Sequence, residues 1–492
     1  MRRVGIAILL LIGVTLYPIS MSNAESAESC RIKSSERQTV SLGFPIATER
    51  LAGMSKPKIL VIPFKLKDNP NYSLAEIKNN YEVTASNIAS LSMGKSSPEF
   101  VFLPPVTTEF TTETMNTLKS NQNIGNQRQD ESISTWGFVR KFVANNDSII
   151  DFTDIKGIIL ETSSVSRTSE IGEAMMMSSA KRGSYFRPIE TKEGEIYNAS
   201  LIFNNPFSST ITHEVMHLYG LTDLYGTNTG PGSLSLMASN ELSLLSYEKW
   251  VLGWLPDSEV QCLTIEPKNA ITEVIFDNTK SDQLFVIKTP GDTHYIVETS
   301  AQKTSKKLAF YTLNNEERPP IKLFPSTKLG LLGVTVKDFD VIGTEISSPD
   351  YKLLVGDVTT SSLTLYLVPD TLTKSSEYNS LVKAAQERKA KYQALAVEKE
   401  QEAQALKAKV EADAKAAAEL KAKQEAEAKA AAELKAKQEA EAKAAAELKA
   451  KQEAEAKAVA LKKTTITCVK GKLVKKVTGV KPKCPSGYKV KK

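Results

Sequence analysis

The fourteen residues KAAAELKAKQEAEA begin at Lys415, again at Lys429 and again at Lys443, within a tract of Ala, Lys, Glu and Gln spanning residues 381–461. Ala, Glu, Lys, Leu and Gln all favour helix, and Glu419 with Lys423 and Glu425 with Lys429 make favourable pairs four residues apart. The tract should therefore be helical. Its period of two heptads suggests a coiled coil, yet each repeat carries one leucine, and the positions three and four after it are Lys and Gln. A lone, charge-stabilised helix about 120 Å long is the expectation, serving as a spacer, with coiled-coil pairing as the alternative. The rest of the 492 residues is enough for one large or two medium globular domains.

The two ends of the chain differ from its middle. Met1-Arg2-Arg3, an apolar run over 4–16 and then Ser22-Asn23-Ala24 have the layout of a secretory signal peptide over residues 1–24. The run is shorter than the roughly 20 residues needed to span a bilayer, and no later stretch is long and apolar enough, so no transmembrane segment is expected after signal removal. Export makes disulfides the expected state of the four cysteines, Cys30, Cys262, Cys468 and Cys484. Of three pairings, Cys468 with Cys484 is favoured by proximity in sequence, which leaves Cys30 to reach Cys262. The last segment, 464–492, alternates β-formers with lysine and carries nine lysines and no acidic residue. Its charge exceeds the formal +6 of the whole chain, so the remainder is slightly acidic. Such one-sided charge suits an anionic surface, such as a cell-surface polymer, a membrane or nucleic acid, or acts as a basic tail that aids solubility. With Tyr488 the sole aromatic, nucleic-acid recognition is not expected.

Between these ends, residues 58–66 (KILVIPFKL) read as a strand, and Leu74, Ile77, Tyr81, Ile88 and Leu91 recur at helical spacing. Residues 99–103 and 157–160 read as buried strands, with an amphipathic helix over 136–142 between them. This alternation predicts a mixed sheet with helices packed on it. From 256 onward the pattern becomes short β-type runs, including Phe285-Val286-Ile287, Tyr295-Ile296-Val297, Val334-Thr335-Val336 and the stretch 363–368, which predict an all-β, sandwich-like domain over 256–370.

The chemistry concentrates in SSTITHEVMHLYGLTD, residues 208–223. His213 and His217 are four apart, so on a helix they share a face and can hold one metal ion together. Ser208, Ser209 or Thr210 can cap that helix. Glu214 projects beside the metal, where it can take a proton from water held there. Gly220 can adopt the left-handed conformation that ends the helix and turns Asp223 back as a third ligand, leaving a fourth position open as catalytic zinc requires. The chain has three histidines, and two of them fall at this spacing around a glutamate. The third, His294, sits in a β-type run, where a structural role is expected.

These residues resemble the HExxHxxGxxD motif of metzincin-type peptidases, and specifically the immune-inhibitor-A family of secreted bacterial metallopeptidases, which has aspartate where most metzincins have histidine. Leu224-Tyr225 follows Asp223 as it usually does in that group. Ser235-Leu236-Met237-Ala238-Ser239 is similar to the family's Met-turn, which makes Met237 a supporting residue beneath the metal. Tyr247-Glu248-Lys249-Trp250 with Gly253-Trp254-Leu255 looks like the segment closing the catalytic domain, and His294-Tyr295-Ile296-Val297-Glu298 resembles part of the β domain after it. Leu234-Ser235 departs from the Trp-Asp often found before the Met-turn. The resemblance implies one catalytic Zn2+, hydrolysis of protein or peptide substrates with Glu214 as general base, and a metzincin-like α+β catalytic domain. Calcium sites occur in similar proteins, although no loop here reads as one.

The chain thus divides into a signal peptide (1–24), an N-terminal segment that could be a pro-segment (25–57), a catalytic domain (58–255), the β domain (256–370), the repeat helix (381–461) and a basic disulfide module (464–492). Before processing, Cys30 could cap the zinc instead of pairing. Two other readings stand beside the secreted peptidase: a zinc-binding surface adhesin with a blocked cleft, and a structural surface protein in which the motif is incidental.

Overall fold

The computed structural model describes residues 25–492 apart from 37–38, 69–73, 123–133, 163–170, 179–186, 204–206, 226–229, 240, 265–268, 302–305, 325–333, 336–338 and 461. The expected signal peptide lies outside the described residues. No described helix is long and apolar enough to cross a membrane. Two compact units divide the chain, Met1–Ala394 and Leu395–Lys492.

The first unit is mixed α+β. Its N-terminal part holds β1 (Lys58–Lys65), α1 (Leu74–Leu91), β2 (Glu99–Phe102), β3 (Val106–Thr107), α2 (Thr112–Gln122), α3 (Thr135–Asn146), β4 (Gly157–Thr162), β5 (Ile171–Met176), a small hairpin of β6 (Ile189–Thr191) and β7 (Gly194–Ile196), β8 (Asn198–Phe203), α4 (Ser208–Tyr219) and α5 (Ser246–Val251). The main sheet runs β2-β1-β4-β8-β5, parallel except for β5, which closes one edge antiparallel to β8. Side chains alternate across it, as strand geometry requires. Ile59, Val61, Ile159 and Ile202 face the cluster containing α1 and α4, while Leu60, Ile62, Phe64, Ile158, Leu160 and Leu201 face Met115 of α2 and Phe138 and Phe142 of α3. The expected strand at 99–103 forms as β2, but as a half-buried edge strand.

The β part comprises β9 (Val260–Thr264), β10 (Thr272–Asp277), β11 (Gln283–Lys288), β12 (His294–Ala301), β13 (Lys306–Leu313), β14 (Ile321–Leu323), β15 (Val334–Thr335), β16 (Glu345–Ser347), β17 (Tyr351–Val358) and β18 (Ser362–Pro369). One sheet is ordered β14-β13-β12-β11-β9 and the other β10-β18-β17-β16. Phe285, Ile287, Val297 and Phe310 of the first sheet pack on Phe276, Leu353, Val355 and Leu365 of the second, making a sandwich. The alternate residues Leu284, Val286, Ile296, Ala309 and Tyr311 face the other way and join the cluster of α4 and α5. The expected boundary at 255/256 therefore runs through a shared core. A sheet with two buried faces lies between the two parts.

Segment 25–57 is built into the same core. Cys30, Ile32, Leu42 and Leu51 are buried in it, Leu51 N–H donates to the Leu218 carbonyl of α4 (3.0 Å), and Cys30 is disulfide-bonded to Cys262 of β9. The disulfide removes Cys30 as a cap for a metal. The fourth cysteine pairs as favoured, Cys468 with Cys484.

The helix α6 (Ser376–Ala460) begins before residue 381, because its first turns are amphipathic and dock on the sandwich. Tyr378 and Ala385 are buried there, and the Tyr378 hydroxyl donates to Glu345 (2.7 Å). In the second unit Leu420, Leu434 and Leu448 are 59%, 60% and 61% exposed. Among the described residues an ion pair of the repeat joins Lys421 to Glu425 at 3.9 Å, a different pairing from the expected ones, as suits fully solvated side chains whose ion pairs are worth little. Three strands follow: β19 (Thr464–Lys470), β20 (Leu473–Gly479) and β21 (Lys489–Val490), ordered β20-β19-β21.

The Cys30–Cys262 bond links residues 232 apart in sequence. Replacing both cysteines by alanine is expected to lower stability by about 2–5 kcal/mol, through the entropy regained by the unfolded chain. Urea denaturation of parent and variant measures this, and equal midpoints would refute it.

Glu161 of β4 is buried on the face toward α1, and burial pushes its carboxyl up to about 8. The folded state thus keeps a proton that the unfolded chain has lost. This contribution to stability is complete below the ordinary carboxyl value of 4.5 and disappears as pH rises through about 8. Glu161→Gln should lessen the fall in stability across that window, gaining about 1–3 kcal/mol at its upper end. Urea midpoints at both ends of the window test it, and an identical fall in the two proteins would count against it.

Candidate metal centre

Helix α4 lies on the main sheet between α1 and β5. None of the three expected hydroxyls caps it: Phe207 occupies the cap position without a side-chain bond, and Ser208 is the first helical residue. The start is set by tertiary contacts instead. The Ser208 carbonyl accepts from Thr212 (2.6 Å) and from Thr84 of α1 (3.3 Å), while Asn87 of α1 donates to Thr212 (3.1 Å).

The other end follows the expectation. Gly220 has φ +116°, its N–H donates to the His217 carbonyl (2.9 Å), and the Leu221 N–H donates to the Met216 carbonyl (3.2 Å). This pair of bonds is the Schellman motif. A Cβ at Gly220 would also sit 3.1 Å from Ile46 Cγ2, so both the backbone conformation and the space require glycine. The turn reverses the chain and brings Asp223 back over the helix.

The structure brings His213, His217 and Asp223 together. Their ligand atoms all lie within 4.8 Å of one another, and one oxygen, Asp223 Oδ1, is 3.2 Å from both His213 Nε2 and His217 Nε2. The opposite nitrogens are fixed by the backbone. His213 Nδ1 donates to the Leu236 carbonyl (2.9 Å) and His217 Nδ1 donates to the Leu221 carbonyl (2.8 Å). With the Nδ1 protons committed there, each neutral ring directs its Nε2 lone pair at a carboxylate oxygen. Three electron-rich atoms then face one point, an arrangement that only a cation relieves. A proton can serve: burial presses His217 down, but the hydrogen bond and charge of Asp223, with Glu214, outweigh it and hold the ring at about 9. Burial raises Asp223, and the two histidines overcome this to hold its carboxyl well below the usual carboxylate range. The same donor set, two imidazole nitrogens and a carboxylate oxygen with backbone-anchored rings, suits a divalent metal ion.

Glu214 lies beside this group, buried, and burial pushes its carboxyl upward. Its position depends on β5. A Cβ built on Gly172 would stand 2.7 Å from Glu214 Oε1 and 3.1 Å from Cδ, so the carboxyl fills the space a side chain there would need. Glu173, next in the strand, accepts a hydrogen bond from Thr135 at the start of α3.

Met237 is fully buried, and its carbonyl accepts from the Leu224 N–H (2.8 Å), adjacent to Asp223. Its own N–H donates to Ser235 Oγ (3.0 Å), and that hydroxyl donates to Glu248 of α5 (2.9 Å). Glu248 also accepts from the Leu245 N–H (2.8 Å), and burial raises it to about 8. Glu298 of β12 then accepts from the Ser246 and Tyr247 N–H groups at the start of α5 (2.9 and 3.0 Å) and from the Tyr311 hydroxyl (2.8 Å). A chain of buried hydrogen bonds thus runs from the turn at Leu236 and Met237 into the sandwich. His294 is outside it, in β12, where its Nδ1 accepts from the Thr289 N–H (3.2 Å).

Several of these residues escaped the sequence reading. The carbonyls of Leu221 and Leu236 and the bare Gly172 carry no signal of their own. Glu248 had one, since a carboxylate three residues after Leu245 stands where helix-capping carboxylates stand. Arg318, in the turn from β13 to β14, donates to Thr222 (3.0 Å) and to the Val40 carbonyl (3.2 Å), joining sandwich, N-terminal segment and metal-side turn.

No protein-family model matches this chain, and no curated protein matches it. Among solved structures it is similar to metalloproteinase-II from Bacteroides fragilis, at 14% sequence identity and a TM-score of 0.24. The match covers 48% of this chain and 60% of that one, so the chain spans little more than half the length of that protein. The reading of the site rests on its own geometry.

Gly172→Ala should lower stability by about 1–3 kcal/mol through overpacking against Glu214, and Gly172→Ala combined with Glu214→Ala should recover most of that loss. Thermal denaturation of the two single variants and the double variant checks this. Additive effects would mean that the strand and the carboxyl do not compete for the same space.

Proposed function

We propose that this chain is a secreted zinc-dependent endopeptidase, with His213, His217 and Asp223 as metal ligands and Glu214 as general base. The observation that carries the reading is the convergence of two backbone-anchored imidazoles and one carboxylate on a single point, with a buried glutamate beside them. Zinc there supplies Lewis acidity toward a peptide carbonyl and makes a nearby water acidic at neutral pH. Glu214 takes the proton of the attacking water as its oxygen bonds to the carbonyl carbon, then delivers that proton to the amine nitrogen as the C–N bond breaks. Burial supports the role, because a raised carboxyl is a better base near neutrality. Leu221 and Leu236 hold the rings in the tautomer the metal needs. The likeness of the motif and Met-turn to immune-inhibitor-A peptidases agrees with this reading, as do the two disulfides with an extracellular setting.

The alternative is a surface protein that binds zinc without cleaving peptides. Measuring bound zinc and hydrolysis of a mixed peptide library for the parent and for Glu214→Ala separates the two. Zinc is expected in both, with activity reduced about 10²–10⁴-fold in the variant. A parent that holds zinc but cleaves nothing would sink the peptidase, and undiminished zinc affinity in Asp223→Ala would remove Asp223 from the ligand set.

A further inference from the structure

The C-terminal module is a hairpin of β19 and β20 with β21 added to β19, and its turn passes through Gly471 at φ +62°. Across the hairpin Lys470 pairs with Leu473, Val469 with Val474, Cys468 with Lys475 and Thr467 with Lys476, so each of these pairs shares a face. Cys468 is buried and bonded to Cys484, which ties the segment after β20 to the face carrying Lys475 and Leu473. The opposite face carries Val469, Val474 and Lys476.

The tip of this hairpin combines two features that a solubilising tail does not need together. Leu473 and Val474 are 64% and 61% exposed, and within the seven residues 470–476 they are surrounded by Lys470, Lys472, Lys475 and Lys476, all exposed. No acidic residue occurs anywhere in 464–492 to neutralise them. The lysines call for an anionic partner. The two aliphatic residues say which kind. Being consecutive in a strand, they point to opposite faces of the ribbon, so a protein docked on either face would cover only one of them. A soluble polyanion would pair with the lysines and leave both in water. A fluid interface entered tip-first surrounds both at once, and its anionic headgroups meet the lysines at the level where the apolar interior begins.

We propose that the β19–β20 tip is a membrane-docking element that inserts Leu473 and Val474 at the surface of a bilayer containing anionic phospholipids. The inference is independent of the peptidase reading, since it uses none of the residues around His213. Its test uses the full chain and vesicles of phosphatidylcholine with or without phosphatidylglycerol, read by co-sedimentation. Partition should be at least about tenfold stronger on the anionic vesicles and should weaken as salt is raised. Leu473→Ser with Val474→Ser replaces two exposed side chains and should leave the Cys468–Cys484 bond formed. This variant should lose about tenfold in vesicle partition while binding soluble polyphosphate as the parent does. Lys475→Gln with Lys476→Gln should weaken binding to both and flatten the salt dependence. Equal vesicle binding by the serine variant and the parent would overturn the proposal in favour of lysines reading any polyanion, and so would an absence of vesicle binding by the parent.

Discussion

Two imidazole nitrogens and a carboxylate oxygen aimed at one point repel each other until a cation sits among them, and much of the first unit is arranged to hold them there. Helix α4 sets the spacing of His213 and His217, the turn at Gly220 returns Asp223, and the carbonyls of Leu221 and Leu236 prevent either ring from rotating away. The helix is fixed in turn by α1 through Thr84 and Asn87, and by β5, whose approach is close because Gly172 has no side chain. Holding them close keeps a cation site in place, filled by a proton on His217 that a metal ion would have to displace. A looser scaffold would lose it by letting the side chains separate.

The sandwich belongs to the same arrangement. Its first sheet has no solvent face: residues alternate between the core it shares with β16–β18 and the core it shares with α4 and α5. Where the two parts meet, charged groups are buried in quantity, including the Lys249–Asp282 pair at 2.6 Å and the carboxyls of Glu248 and Glu298. Groups of this kind are costly to bury unless their partners are in place. They therefore specify one docking geometry, and through Ser235 and Met237 that geometry reaches the turn whose Leu236 carbonyl holds His213.

How much of this could be read in the sequence depended on whether the cause was local. The shared face of His213 and His217, the left-handed Gly220 and the return of Asp223 follow from helix period and glycine conformation, and they were legible. Some strands of both parts, such as β1, β4 and β11, were legible too, because a strand with two buried faces is continuously apolar, as in the run ending Phe285-Val286-Ile287, whereas β5 and β8 were not read. What failed depended on contacts remote in sequence. Phe207 stands at the cap position where a hydroxyl was expected, α6 starts early because Tyr378 finds a place on the sandwich, and segment 25–57, read as a possible pro-segment, is buried in the core around Leu42 and Leu51. A glycine that matters for what lies against it, as Gly172 does, looks like any other glycine in a strand.

The disulfide from Cys30 to Cys262 encloses β1 to β8, α4 and the turn at Met237 within one covalent ring. The ring changes what a single cut in the backbone does. A single cut in any surface loop between these cysteines opens the ring without separating its pieces, which stay joined through sulfur and packed in a common core. A nicked molecule thus keeps the arrangement of His213, His217 and Asp223.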